Sequence, residues 1–149
     1  MTQPADTPTH RLSSQARQQL LGLAAEVVSH HPEIIFCYAH GSFLHPGPYR
    51  DLDLVGYLAE PLPPSRFLYE DALERELVQA LHVDFPVDIR IANGTPFPFQ
   101  HHAYQGQLLL DRNPDLRATV LSHIAARYLD IKPILDHHAR EAFCHAPGS

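Results

Sequence analysis

The sequence predicts a single α/β (α+β) domain of helices interleaved with short strands and closed by a long C-terminal helix. Three observations carry this. Apolar residues recur at helical spacing in three stretches, near residues 16–27, 73–81 and 116–135. Between them, residues 33–39, 51–58 and 87–91 form apolar or alternating runs too short for helices, which read as strands. Proline, glycine and asparagine mark the junctions, and 149 residues make one core rather than two.

The elements follow in order. Residues 1–11 are polar, carry Pro4 and Pro8, and read as a flexible N-terminal segment ahead of a domain over 12–143. Ser13 or Ser14 can cap a helix whose stripe is Ala16, Leu20, Leu23 and Val27, ended by His30-His31-Pro32. Glu33–Ala39 is a buried strand, turned by His40-Gly41-Ser42, and a Pro/Gly loop leads into a second strand, Asp51–Leu58. Pro61, Pro63 and Pro64 break that strand, and Ser65 can cap a helix over 66–82 with Leu73, Leu77, Ala80 and Leu81 inward. Val87–Ile91 reads as a third strand between Pro86 and Asn93-Gly94. A short helix over 98–105 and an edge strand over 107–110 come next. Asn113 as cap and Pro114 at the first helical position open the last helix. Its stripe is Leu116, Val120, Ile124, Tyr128, Ile131 and Leu135, and Pro133 should kink or interrupt it. Residues 144–149 are a tail.

Composition narrows the function. Lys and Arg number 11 against 17 Asp and Glu, a net charge of −6 that argues against a nucleic-acid surface, which needs clustered cations. No apolar run approaches the ~20 residues that span a bilayer, and the first residues lack a signal peptide's basic and apolar regions. A cytoplasmic protein without a membrane partner is expected. Two cysteines, one in an apolar run and one near the end, do not make a disulfide framework. The adjacent pairs His30-His31, His101-His102 and His137-His138 point apart on a helix and make no zinc set.

Three acids sit where acids are expensive. Strand period two puts Asp51 and Asp53 on one face, and puts Asp88 with Arg90 on one face of the third strand. If these strands pair, three carboxylates converge, raise one another's pKa, and invite an oxygen-seeking cation such as Mg²⁺. Gly41-Ser42 follows directly from a buried strand, where a glycine lets backbone amides approach phosphate oxygens and the hydroxyl adds a donor. The eight-residue loop Phe43–Arg50 can return the chain antiparallel and set that turn beside the acids.

Gly41-Ser42, the loop, Asp51-x-Asp53 and the later strand Asp88 resemble the nucleotidyltransferases of the DNA polymerase β superfamily. The small size and the ending Ala126–Pro133 look most like its minimal nucleotidyltransferase (MNT) subgroup, over residues 12–143. The resemblance implies a mixed sheet flanked by helices and two Mg²⁺ ions (Mn²⁺ as an alternative) on Asp51, Asp53 and Asp88. It implies ATP as substrate at Gly41 and Ser42, with Asp88 activating the acceptor hydroxyl. The loop is shorter than in many relatives and has Phe43-Leu44-His45 where they carry an Arg; Arg50 is the cation it offers to a triphosphate. Family relatives imply transfer of AMP to a tyrosine of a cognate HEPN-type ribonuclease toxin, with this chain as antitoxin in a hetero-oligomer. Two alternatives stay open: an inactive module that neutralises its partner by occlusion, and transfer to a small molecule. Enzymes of the latter kind add a helical domain for which 149 residues leave no room. A partner or a second copy is expected on the apolar stripe of 116–135. Arg117 and His123 also match the Arg–His spacing of HEPN nucleases, but the stripe accounts for that segment as packing.

Overall fold

In the computed structural model, which describes residues 10–144, the chain runs α1 (Ser14–Ser29), β1 (Ile34–His40), β2 (Leu52–Leu58), α2 (Arg66–Leu81), β3 (Val87–Ile91), α3 (Phe97–Ala103), β4 (Gln107–Asp111) and α4 (Pro114–Cys144). A short 3₁₀ turn over Ser42–Leu44 follows β1. The expected element order is the one found. The expected lead-in and tail lie mostly outside the described residues, but His10 exchanges two backbone hydrogen bonds with Tyr49, at 2.8 and 3.1 Å.

The caps are those the sequence offers. Ser13 Oγ accepts from the Ala16 amide, Ser65 Oγ from Leu68 and Asn113 Oδ1 from Leu116, at 3.0–3.1 Å. The inward faces differ in places. α1 buries Arg17, Leu21, Ala24, Val27 and Val28, whereas Leu23 is 44% exposed. The expected stripe was turned by one residue because a count of apolar positions passes over an arginine. In α2, Leu73, Leu77 and Leu81 face the core and Ala80 does not. α4 continues through Pro133 to Cys144 as one helix. Pro133 has no amide to bond the Leu129 carbonyl, but Leu129 and residues 132–141 are exposed, so water can take it.

The sheet has the order β3-β2-β1-β4. β1 runs antiparallel to both β2 and β4, and β2 runs parallel to β3 with Asp53 opposite Asp88 and Leu54 opposite Ile89. Alternating strand residues feed two cores. Cys37, Leu54 and Ile89 meet Leu21, Val28 and Leu77 of α1 and α2 on one face. Phe36, Tyr38 and Val55 meet Ala103, Tyr104 and Ile124 of α3 and α4 on the other. Complete burial pushes the Cys37 thiol up to about 12, which leaves it unreactive.

The outer edge of β3 is closed by a helix rather than a strand. Glu74 Oε1 accepts from the Ile89 amide at 3.1 Å, and Glu70 Oε2 accepts from the Ile91 amide at 2.8 Å. Four residues of helix rise about 6 Å and two residues of strand about 6.6 Å, so an i,i+4 pair of carboxylates matches alternate amides of an antiparallel neighbour. This pairing blocks the edge against further strands.

Candidate active site

The parallel register of β2 and β3 builds the centre of the site. It sets Asp53 beside Asp88, and Asp51 precedes Asp53 by one strand period. One oxygen from each of the three carboxylates lies within 4.8 Å of the others, with Asp51 and Asp53 half-buried and Asp88 exposed. Among the described residues, no other group of His, Cys, Asp or Glu side chains could hold a metal ion. Burial first, then the charges of Asp51 and Asp88, push the Asp53 carboxyl up to about 6, with Arg90 pulling the other way. A cluster of hard oxygen donors with uncompensated negative charge fits a divalent cation such as Mg²⁺.

A cleft of about 500 Å³ opens over Asp53 and Asp88, with walls from His40, Glu70, Glu74, Arg90 and Phe99. Arg90 shares the strand face of Asp88, yet its guanidinium lies over the Phe99 ring, 5.5 Å from the centroid, and is in no ion pair among the described residues. Burial, with His102 and Arg90 close by, holds the His40 imidazole below its ordinary value against the opposing charge of Asp51. A larger hollow of about 930 Å³ lies further along β2, around Tyr57, Arg66, Phe97 and Val120, and shares no residue with the acidic cleft.

The glycine-serine turn stands against the acids. Gly41 has φ +90°, a left-handed conformation, and a Cβ built on it would lie 2.9 Å from Asp53 Oδ2. Only glycine satisfies both conditions. Ser42 is exposed at the start of the 3₁₀ turn, and Arg50 is exposed one step before Asp51. The turn, the two β2-side acids and Asp88 are therefore brought together as the sequence implies, and Arg50 flanks them.

Other expectations resolve into structure. Arg117 bonds Asp111 at 2.9 Å and the Tyr38 hydroxyl at 3.0 Å, tying α4 to β4 and β1. His101 stacks on Tyr128 with ring centroids 3.9 Å apart, and His137 pairs with Glu141 on the exposed end of α4. Sequence reasoning missed Arg17, which lies buried in α1 and reaches the loop after the turn. Its signal was present as the 4-3-4 spacing Arg17, Leu21, Ala24, Val28. It missed Glu70 and Glu74 as cleft walls for want of the α2–β3 alignment.

Comparison with known proteins places this geometry. No curated protein sequence matches the chain. Solved structures match its fold at low identity. A chain from the complex of tri-AMPylated Shewanella oneidensis HEPN toxin with MNT antitoxin has a TM-score of 0.61 at 16% identity, over 83% of this chain and 98% of that one. A chain of the toxin–antitoxin MntA–HepT gives 0.57 at 14%, over 85% and 99%. A toxin–antitoxin structure with AMP-PNP gives 0.57 at 17%, over 86% and 99%. At such identity the likeness speaks for the fold, a four-stranded mixed sheet with these helices. The sequence itself matches the family described as polymerase beta, nucleotidyltransferase over residues 24–115, a span that takes in the glycine-serine turn and all three carboxylates. The chain belongs to the polymerase β nucleotidyltransferase family.

Proposed function

We propose that this nucleotidyltransferase moves AMP from ATP to a tyrosine hydroxyl of a HEPN-type toxin and serves as that toxin's antitoxin. The observation that carries the reading is the convergence of Asp51, Asp53 and Asp88, with Gly41 set against Asp53 and with Asp53 and Asp88 lining an open cleft. The neighbours support it: one is a complex of a tri-AMPylated toxin with its antitoxin and another holds AMP-PNP.

In this reading Asp51, Asp53 and Asp88 hold two Mg²⁺ ions, with Mn²⁺ able to replace them. Bound there, the ions neutralise the carboxylates and the charge that develops on the phosphoryl oxygens. The chain's own residues do the rest. Gly41 admits the triphosphate close to the backbone, and Ser42 and Arg50 donate to its oxygens. Asp88, the exposed member, takes the proton of the incoming tyrosine hydroxyl. The tyrosine oxygen bonds to the α-phosphorus, the bond to the bridging oxygen breaks, and pyrophosphate leaves. A folded partner delivers its hydroxyl already oriented. Its docking face includes the outer half of α4, where Leu129, Ile134 and Leu135 are exposed.

The test uses α-labelled ATP, Mg²⁺ and a cognate HEPN-type toxin. Label on a partner tyrosine, lost with Asp88→Asn, is expected. A partner silenced without gain of mass, and equally well by Asp51→Asn, would replace transfer by occlusion.

A further inference from the structure

Arg17 is 6% exposed, at the N-terminal end of the buried face of α1. Among the described residues, its guanidinium donates to backbone carbonyls alone. Nε reaches the Leu12 carbonyl at 3.0 Å, Nη1 that of Phe43 at 3.3 Å and that of His45, and Nη2 that of Gly47. Its plane lies over the Tyr49 ring, 4.7 Å from the centroid. A buried cation without a carboxylate is costly, and an apolar side chain would fill the same space in the core. What the charge supplies is order in one loop.

That loop has little of its own. Between Gly41 and Tyr49 its backbone amides make three bonds among the described residues, Leu44 to Gly41, His45 to Ser42 and Tyr49 to His10. Pro46 and Pro48 have no amide to contribute. The carbonyls of Phe43, His45 and Gly47 turn instead to a single planar fork of donors, which a lysine cannot reproduce. Below the fork Phe43 and Tyr49 are buried, at 1% and 2% exposed; above it Ser42 is open to solvent, and Gly41 abuts Asp53.

We infer that Arg17 is a positioning residue for the site: it holds the 43–47 loop from the core side so that Gly41-Ser42 stand at a fixed height over Asp53. The inference rests on the reading of Gly41-Ser42 as the triphosphate turn. It separates two affinities. Asp53 and Asp88 stand on β2 and β3 and Asp51 directly precedes β2; Arg17 bonds none of the three, so binding of a bare cation depends on it far less than binding of a triphosphate does.

The experiment compares the full chain with Arg17→Lys, using Mn²⁺ alone by electron paramagnetic resonance and Mg²⁺–ATP by calorimetry. The variant is expected to keep Mn²⁺ affinity within about twofold and to lose about tenfold in Mg²⁺–ATP affinity, the effect of some 1.4 kcal/mol of lost loop order. A general loosening of the fold would lower both together and overturn the inference. A wild type that binds no Mg²⁺–ATP overturns the triphosphate reading and this role with it. A wild type that binds and a variant that binds equally well overturns the role of Arg17 alone. Should Arg17→Lys not fold, hydrogen exchange on the wild type decides. Leu44 and His45 amides as protected as those of α1 support the inference, and exchange at the rate of a free loop overturns it.

Discussion

Gly41 and Asp53 come so close that a methyl group on the glycine would lie 2.9 Å from the carboxylate oxygen. The contact joins the turn after β1 to the acid in β2, and antiparallel pairing of His40 with Asp53 enforces it.

Gly41→Ala should therefore fail in two ways. The left-handed backbone costs about 1–2 kcal/mol with any side chain, and the new methyl pushes on Asp53. Gly94, in the turn after β3, separates the two effects: it has φ +79°, and a Cβ there meets only the end of the Arg66 side chain, at 3.3 Å. Gly94→Ala should lower the melting temperature by a similar few degrees and keep Mg²⁺–ATP affinity, while Gly41→Ala loses it. Equal affinities in calorimetry would sink the assignment of the turn.

Asp53 trades stability for its place in the cluster. Its carboxyl is raised to about 6, so between about pH 4 and 6 the folded state holds more protons than the unfolded state. Stability from this group falls as pH rises through that window, and the penalty persists above it. After discounting for the solvent that reaches a half-buried group, the penalty is roughly 1 kcal/mol, or about 3 °C in a chain of this size. Asp53→Asn should therefore melt higher than wild type at pH 7.5 in chelator and gain nothing at pH 4. Added Mg²⁺ should raise the wild type and leave the variant unmoved. A wild type that melts higher than the variant in chelator at pH 7.5 contradicts this.

Much of the site could be read before any coordinates because it depends on short-range rules. Strand period two decides that Asp51 and Asp53 share a face, and a glycine between a strand and a polar residue marks a turn. The pairing of β2 with β3 was the one tertiary condition, and it holds in the register that sets Asp53 against Asp88. The failures are tertiary throughout. Arg17 belongs to the buried face of α1 only because loop carbonyls wait for it there. Glu70 and Glu74 look like solvated helix acids until β3 is laid beside them. Pro133, expected to kink or interrupt α4, does not interrupt it, because an exposed helix can leave one carbonyl to water.

The two glutamates allow a test of the β3 edge. Glu74→Leu removes the acceptor of the Ile89 amide and leaves a half-buried donor unpaired, at about 1–3 kcal/mol. Glu74→Gln keeps an acceptor oxygen and should recover most of that loss. Chemical denaturation of the three proteins gives the order wild type, Gln, Leu. If Leu equals Gln, the helix carboxylate is not what closes the edge.

The outer half of α4 should prove to be for the partner and not for the fold. Residues 132–141 are exposed throughout, with Leu129, Ile134 and Leu135 at 65%, 59% and 42%. An isolated helix of this length is marginal in water, and Pro133 makes it more so, so little native stability can reside there. Burying an isoleucine and a leucine against a partner contributes roughly 1.5–3 kcal/mol each. Placing aspartate at both positions forfeits that gain and would bury charge as well. The Ile134→Asp/Leu135→Asp variant should thus melt within a degree or two of wild type and bind Mg²⁺–ATP normally. Its affinity for the cognate HEPN-type toxin should fall by at least about a hundredfold, and labelling of that toxin at sub-saturating concentration should fall with it. Normal binding by the double variant would move the docking face elsewhere on the chain, and a large drop in melting temperature would make this half of α4 part of the fold.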